Sequence, residues 1–298
     1  MIPPPFDYTV PVSLSEAVSL LQQNPEAKIL AGGQSLIPLM RFRLASPALL
    51  IDINRLERLD YVREEDGWLK IGALTREVTL DRSPLIQQKY PLLADTSRLI
   101  ADPLVRNMAT VGGNLAHADP ANDHPATMLA FNALVVANGP GGERQIPATE
   151  FFVGLFESSL AHDEILTEIR IPAAQPRSGG AYFKLERKVG DFATAAVAAQ
   201  ISLDENGACR TAGIGLTNVG MTPIKASEAE EALKGQMLDS NLIKHAAHLA
   251  SQAAEPDDDP RGSADYKRSM IQVLTARALN QALERARGDI QSASTRSN

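Results

Sequence analysis

The chain has 298 residues, 44% of them hydrophobic and 22% charged, with a formal net charge of −7. That is material for one large domain or two to three smaller ones, and the acidic balance argues against nucleic acid or an anionic membrane surface as main partner. Cys209 is the single cysteine, which excludes an intrachain disulfide and any cysteine-ligated zinc or iron–sulfur site on this chain.

No apolar run approaches the length of a membrane span. The opening Met1-Ile2-Pro3-Pro4-Pro5-Phe6-Asp7-Tyr8 has neither the basic nor the apolar region of a signal peptide, so a cytoplasmic location is expected. Ser13-Leu14-Ser15-Glu16 reads as a capping box that opens a helix with Leu14, Ala17, Val18 and Leu21 on one face, ended by Asn24-Pro25. Lys28 to Ala31 is a short apolar strand running into Gly32-Gly33-Gln34-Ser35, with Ser35 placed to cap the next turn and Leu49 to Ile53 a buried strand. This strand, glycine loop, helix, strand unit suits phosphate binding through loop amides. It lacks the G-x-G-x-x-G spacing of a dinucleotide fingerprint and the lysine of a P-loop.

Trp68 to Ala73 is a further strand, and helical patterns follow over Thr75 to Leu80, Pro84 to Tyr90 and Leu92 to Ile100. Asp102-Pro103 breaks the chain before its densest stretch, Thr110-Val111-Gly112-Gly113-Asn114-Leu115-Ala116-His117-Ala118-Asp119-Pro120. There Gly112 and Gly113 permit positive φ, so consecutive amides can turn inward as an anion-accepting nest. Asp123 or His124 marks the boundary of the helix begun by Pro125. Ala133 to Ala137 is a buried strand, Gly139-Pro140-Gly141-Gly142 a surface turn, and Glu164 to Ile171 a half-buried strand. Pro172 to Gly180 is the best domain boundary. Beyond it, Ala195 to Leu203 and Ala208 to Leu216 form a hairpin across Asn206-Gly207. Helices follow around Ser227 to Leu233, Leu242 to Ala253 and Asp265 to Arg287, the last with Met270, Val273, Leu274 and Leu279 facing the core. Asp257-Asp258-Asp259 reads as a solvated loop, and Gly288 to Asn298 as a disordered tail.

Two amide nests in one chain suit a diphosphate, one loop for each part. Neither loop carries a lysine or arginine at its glycines, so backbone dipoles must do most of the neutralising. Asp123 is placed either to accept from ribose or adenine groups or merely to cap a helix. His245 and His248 share a helix face without a third ligand, and Ser35 and Ser158 lack the context of a hydrolase nucleophile.

Ala31-Gly32-Gly33-Gln34-Ser35-Leu36-Ile37-Pro38 and the Thr110 to Pro120 stretch closely resemble the paired FAD-binding motifs of the molybdenum hydroxylase family. Tyr182-Phe183-Lys184-Leu185-Glu186-Arg187-Lys188-Val189-Gly190-Asp191-Phe192-Ala193 resembles that family's signature at the start of its C-terminal domain, and Tyr266 to Leu279 its last helix. The chain is similar to the separate medium, or flavoprotein, subunit of carbon monoxide dehydrogenase-type enzymes, with relatives in xanthine dehydrogenase.

The resemblance implies an α+β fold: a two-subdomain FAD-binding domain of the PCMH or vanillyl-alcohol-oxidase-like type over residues 1–176, its subdomains meeting near 57, then an α+β C-terminal flavoprotein domain over 177–287. It implies non-covalent FAD, with Ala31, Gly32, Gly33, Gln34, Ser35 and Leu36 on one part of the diphosphate and Thr110, Val111, Gly112, Gly113 and Asn114 on the rest. Ala118 and Asp119 complete the second motif. Asp123 matches the acid that contacts the adenosine part, and Ile100, Leu166 and Lys184 match positions that lie against FAD in relatives. Lys184 is the candidate cation for the pyrimidine end of the flavin; without the resemblance it reads equally as a snorkelling strand lysine. The molybdenum cofactor and [2Fe-2S] clusters are expected on a large and a small partner subunit, in a dimer of heterotrimers, with this chain passing electrons from the clusters through FAD to an external acceptor. A standalone flavin oxidase, or an assembly module that has lost flavin, are the competing expectations.

Overall fold

The computed structural model describes residues 2–288, so the tail expected from Gly288 onward falls, beyond that glycine, outside the described residues. The first unit runs β1 (Asp7–Thr9), α1 (Leu14–Gln23), β2 (Lys28–Leu30), α2 (Leu36–Arg41) and β3 (Leu49–Asp52). Its three strands form a parallel sheet in the order β1-β3-β2. Ser13 caps α1 by accepting from the Glu16 amide at 3.2 Å, and Glu16 Oε2 accepts from Val12 N at 2.7 Å. Ala17, Val18 and Leu21 turn inward to meet Ile51 and Ile53 in a small core of their own, the i, i+3/i+4 stripe expected of an amphipathic helix.

The second unit comprises β4 (Val62–Glu65), β5 (Trp68–Gly72), α3 (Glu77–Arg82), α4 (Pro84–Lys89), α5 (Pro91–Leu99), α6 (Pro103–Arg106), α7 (Val111–His117) and α8 (Asp123–Phe131). It continues with β6 (Leu134–Gly139), β7 (Gly142–Pro147), α9 (Ala148–Phe151), β8 (Phe152–Gly154), β9 (Glu157–Ser158) and β10 (Ile165–Pro172). Five of these strands form an antiparallel sheet, β4-β5-β10-β6-β7. As its middle strand, β10 is buried almost throughout, not half-buried as its alternation predicts. Ile169 and Ile171 enter the main core while Ile165 joins the core of the first unit on the other side. Asp102-Pro103 does not simply break the chain: Asp102 accepts from Val105 N at 3.0 Å and caps the single turn α6.

The third unit is a four-stranded antiparallel sheet of β11 (Ser178–Leu185), β12 (Ala195–Leu203), β13 (Cys209–Thr217) and β14 (Ile224–Lys225), backed by α10 (Ser227–Leu233), α11 (Ser240–Ala253) and α12 (Ala264–Ala286). Gly207 adopts φ +89° in the β12–β13 turn, as Asn-Gly hairpins require. On α12 the buried stripe runs Ile271, Leu274, Thr275, Ala278, Leu279, Ala282. Val273, expected inside, is 39% exposed because it sits a quarter-turn off that stripe. The Asp257–Asp259 loop is not merely solvated: Asp259 Oδ2 accepts from the buried Lys267 Nζ at 2.7 Å.

The second and third units share one core. Tyr182, Ala193, Ala196 and Ala198 of the third pack with Leu92, Leu93, Ala126 and Leu129 of the second. Arg285 fastens them at the rim, with NH1 on Asp95 Oδ2 and on the Gly180 carbonyl, each at 2.5 Å.

Candidate functional site

The first glycine loop joins β2 to α2. Gly33 has φ +74°, a backbone state that favours glycine, and this turn leaves the amides of Gly32, Gly33, Gln34, Ser35 and Leu36 without an acceptor among the described residues. The loop's carbonyls are used inward: Gly33 O accepts from Ile37 N at 3.1 Å and Ser35 O from Leu39 N at 3.2 Å. Gln34 Nε2 donates to the Gly32 carbonyl at 3.2 Å. Ser35 holds the N-cap position of α2 but makes no side-chain cap. Five successive open N–H groups at a turn form the kind of cradle that accepts an anion.

The second loop departs from the sequence expectation. Gly112 and Gly113 do not take positive φ; they lie in the first turn of α7, which Thr110 caps by accepting from Gly113 N at 3.2 Å. Val111 N donates to Thr75 O at 3.0 Å, Gly112 N to Ala73 O at 3.0 Å and Asn114 N to Thr110 O at 2.9 Å. These amides are already spent, so the second loop is not a free amide nest. Its glycines serve close packing: a Cβ on Gly112 would stand 2.6 Å from Ala73 Cβ and 2.7 Å from Ala73 O. What the loop does leave open is the side chain of Asn114, whose Oδ1 is buried with no partner. Asn122 Nδ2 closes the far end on the Asn114 carbonyl at 2.9 Å. Ala118 ends α7 in the left-handed region at φ +51°, and Asp119 Oδ1 accepts from Ala121 N at 2.9 Å as an Asx turn.

The two loops are neighbours in space. A Cβ on Gly32 would stand 2.4 Å from the Met108 carbonyl oxygen and 2.8 Å from Ala109 Cα, so only glycine permits this approach. Two side chains absent from the sequence reading join them. Asn54 Nδ2 donates to the Ala31 carbonyl at 2.8 Å, and Arg76 NH2 donates to Asn54 Oδ1 at 2.7 Å while its NH1 donates to the Met108 carbonyl. Leu166 is linked to the same place through its neighbour, since Thr167 O accepts from Ala73 N at 2.9 Å and Ala73 O accepts from Gly112 N.

Asp123, Lys184 and Ile100 gather in a second, buried group. Asp123 is the first residue of α8, and Asn122 takes the N-cap position. Lys184 Nζ meets Asp123 Oδ2 at 2.9 Å and the Leu99 carbonyl, beside Ile100, at 3.1 Å; Tyr182 OH donates to Asp123 Oδ1 at 2.6 Å. The lysine side chain is 1% exposed and the aspartate 7%, which rules out a solvent-seeking, snorkelling lysine. The two side chains expected at the adenosine part and at the flavin ring are thus partners of each other in this structure. Burial pushes the Asp123 carboxyl above its ordinary range, against the pull of Lys184 and Tyr182, and pushes the Tyr182 hydroxyl well up in turn.

Glu77 ties the two groups together. Its amide donates to the Ala109 carbonyl at 3.0 Å, and its Oε2 lies 2.8 Å from His124 Nε2, both side chains being fully buried. His117 packs against Phe156 with ring centroids 5.2 Å apart and planes tilted by 43°, and burial lowers its pKa. Among the described residues no group of His, Cys, Asp or Glu is arranged to hold a metal ion, His245 and His248 included.

Residues 4–174 match the family described as FAD binding domain in molybdopterin dehydrogenase, and residues 180–282 the CO dehydrogenase flavoprotein C-terminal domain. The chain belongs to the FAD-binding subunits of the molybdopterin dehydrogenases. It is 45% identical over 286 residues to the carbon monoxide dehydrogenase medium chain of Hydrogenophaga pseudoflava, covering 96% of this chain and 99% of that one. It is 42% identical to the 6-hydroxypseudooxynicotine dehydrogenase complex subunit alpha of Paenarthrobacter nicotinovorans, covering 96% and 97%. The solved carbon monoxide dehydrogenase from Hydrogenophaga pseudoflava superposes with a TM-score of 0.93 at 47% identity, over 96% of this chain and 99% of that one.

Against this family frame, sequence reasoning missed Asn54, Arg76, Glu77 and Asn122. Asn54, Arg76 and Glu77 act through side-chain bonds to residues at least 22 positions away, which spacing does not encode, whereas Asn122 bonds only eight residues back from just past the second motif. Tyr182 was within reach, because it opens the Tyr182 to Ala193 signature two residues before Lys184.

Proposed function

We propose that this chain is the FAD-bearing medium subunit of a three-component molybdenum hydroxylase. In this reading it takes electrons from iron–sulfur clusters on a small partner subunit and hands them to an external acceptor. The observation that carries the FAD assignment is the run of five amides from Gly32 to Leu36 without a partner among the described residues, with Gly32 packed on Met108 and Ala109 at the entrance to the second glycine motif. That donor set fits a diphosphate, and the unpartnered, buried Asn114 Oδ1 beside it fits a polar group of the same ligand.

FAD, when bound, accepts electrons singly and releases them as a pair, which joins one-electron carriers to a two-electron acceptor. The chain's own part is to bind and orient. The first loop's open amides would hold the diphosphate, the first turn of α7, tied to Ala73 and Thr75, would keep the neighbouring loop in place, and Leu166 would supply an apolar contact. Lys184, held by Asp123, keeps its Nζ on the Leu99 carbonyl beside Ile100. With a single cysteine on this chain, the clusters belong to partners.

The match over nearly the full length of proteins named as medium chain and complex subunit favours this reading over a standalone oxidase, which would need a further substrate-covering region. Relatives of nearly equal identity carry the names of carbon monoxide and 6-hydroxypseudooxynicotine enzymes. The substrate is therefore chosen by the large partner. Among the described residues no helix is long and apolar enough to cross a membrane; a cytoplasmic dimer of heterotrimers is the assembly we propose.

Affinity purification of the tagged chain from its native host tests the whole reading. Iron, molybdenum and one FAD per chain should co-purify, and the isolated chain should keep flavin yet fail to oxidise any hydroxylase substrate. A flavin-loaded chain that turns over alone would replace this reading with the oxidase.

A further inference from the structure

The first unit, residues 2–57, and the rest of the molecule each supply one glycine loop, so the gap between the loops depends on how the units are held together. Their apolar contact is modest: Leu59, Leu74 and Ile165 lie in the small core built by α1 and β3. Among the described residues a single hydrogen bond crosses from residues 2–57 to residues 58–288, and it is the one from Arg76 NH2 to Asn54 Oδ1 at 2.7 Å. Both partners of that bond hold a loop directly. Asn54 Nδ2 donates to the carbonyl of Ala31, the residue before Gly32. Arg76 NH1 donates to the carbonyl of Met108, which Gly32 touches, and the Arg76 backbone pairs with Thr110 as an isolated antiparallel bridge.

We propose that Arg76 and Asn54 form a clasp that sets the spacing of the two glycine loops and so pre-organises the diphosphate cradle before FAD arrives. Arg76 is a positioning residue in this role. Its planar fork reaches two acceptors at once, one toward each loop, and its backbone is fixed to the second loop's anchor. A cradle of fixed width binds without the ordering cost that a hinged one must meet. The inference rests on the reading that these loops hold FAD.

The test uses the full chain, stripped of flavin and titrated with FAD by fluorescence quenching, for wild type, Arg76→Ala, Asn54→Ala and the double variant. The clasp requires each single variant to weaken FAD at least about tenfold and the double variant to be no worse than either, because one broken link opens the chain of contacts. A loss in Arg76→Ala alone would mean that its charge, not the clasp, matters, since Asn54→Ala leaves the cation in place; that result overturns the proposal. Unchanged affinity in both does so too. Hydrogen exchange of the flavin-free variants separates clasping from general damage. The hydrogen-bonded amides that frame the loops, those of Ile37, Ile53, Met108, Ala109 and Val111, should exchange faster while those of Ala195–Leu203 stay as in wild type; acceleration throughout the chain would overturn the clasp. A wild-type chain that takes up no FAD would instead defeat the underlying reading.

Discussion

At Gly33 two constraints coincide: φ is +74°, and a Cβ would stand 2.7 Å from Ile37 Cδ1. Gly33→Val therefore strains the turn by about 1–3 kcal/mol in a short surface loop. The variant should fold, by circular dichroism, and emerge without flavin absorbance; full flavin content would remove this loop from the site. The Asp123–Lys184 pair makes a different prediction. Lys184→Met leaves a buried carboxylate without its cation, a loss of about 3–5 kcal/mol, while Asp123→Asn with Lys184→Met should cost clearly less. Urea unfolding of Lys184→Met, Asp123→Asn and the double variant checks this, and additive losses would refute the coupling. The pH dependence has a definite sign. An acid whose native pKa lies above its unfolded one, as burial makes that of Asp123, binds more protons folded than unfolded, so stability falls as pH rises between the two values. Its contribution is complete below the unfolded value of about 3.9 and declines as pH climbs through the native one. Relative to Asp123→Asn, the wild type should lose stability over that interval; a constant difference between their unfolding midpoints would contradict the burial effect.

The first turn of α7 shows why an element matters more than its motif. Thr110 accepts from Gly113 N and its carbonyl from Asn114 N. Thr110→Ala should cost about 1 kcal/mol, largely restored in Thr110→Ser, as measured by urea unfolding; a neutral alanine variant would mean that Ala73 and Thr75 alone hold this turn. Much of the element order was legible. Ser13 and Glu16 announced α1, Asn206-Gly207 the β12–β13 hairpin, and the paired glycines the place where backbones come close. What Gly112 and Gly113 do there was not legible, because two glycines permit a left-handed turn as readily as they permit a helix packed tightly on Ala73. The choice lies with Thr75 and Ala73, whose carbonyls receive the Val111 and Gly112 amides from more than thirty residues away. Val273 was misplaced for a simpler reason: one quarter-turn of helix phase separates it from the buried stripe. Asp123 and Lys184, far apart along the chain, carry no local sign that they meet.

Across the whole molecule, stability is unevenly spread. The second and third units share a continuous core and the Asp95–Arg285 contact, whereas residues 2–57 meet the rest only through a small core that Leu59, Leu74 and Ile165 enter and, among the described residues, one crossing hydrogen bond. Amides of β3 should therefore exchange with solvent well before those of β10 or β12 in the flavin-free chain, and added FAD should protect β3 more than β12. Equal protection of all three would argue for one cooperative block. Cys209 has a consequence on the same scale. Its side chain is fully buried on β13, its Sγ donates to the Thr211 carbonyl at 3.4 Å, and burial raises its pKa to about 11. At neutral pH it stays protonated and shielded, inert to alkylating reagents until the sheet unfolds. In a native assembly that contains this chain, every sulfhydryl that reacts promptly must then be credited to a different polypeptide.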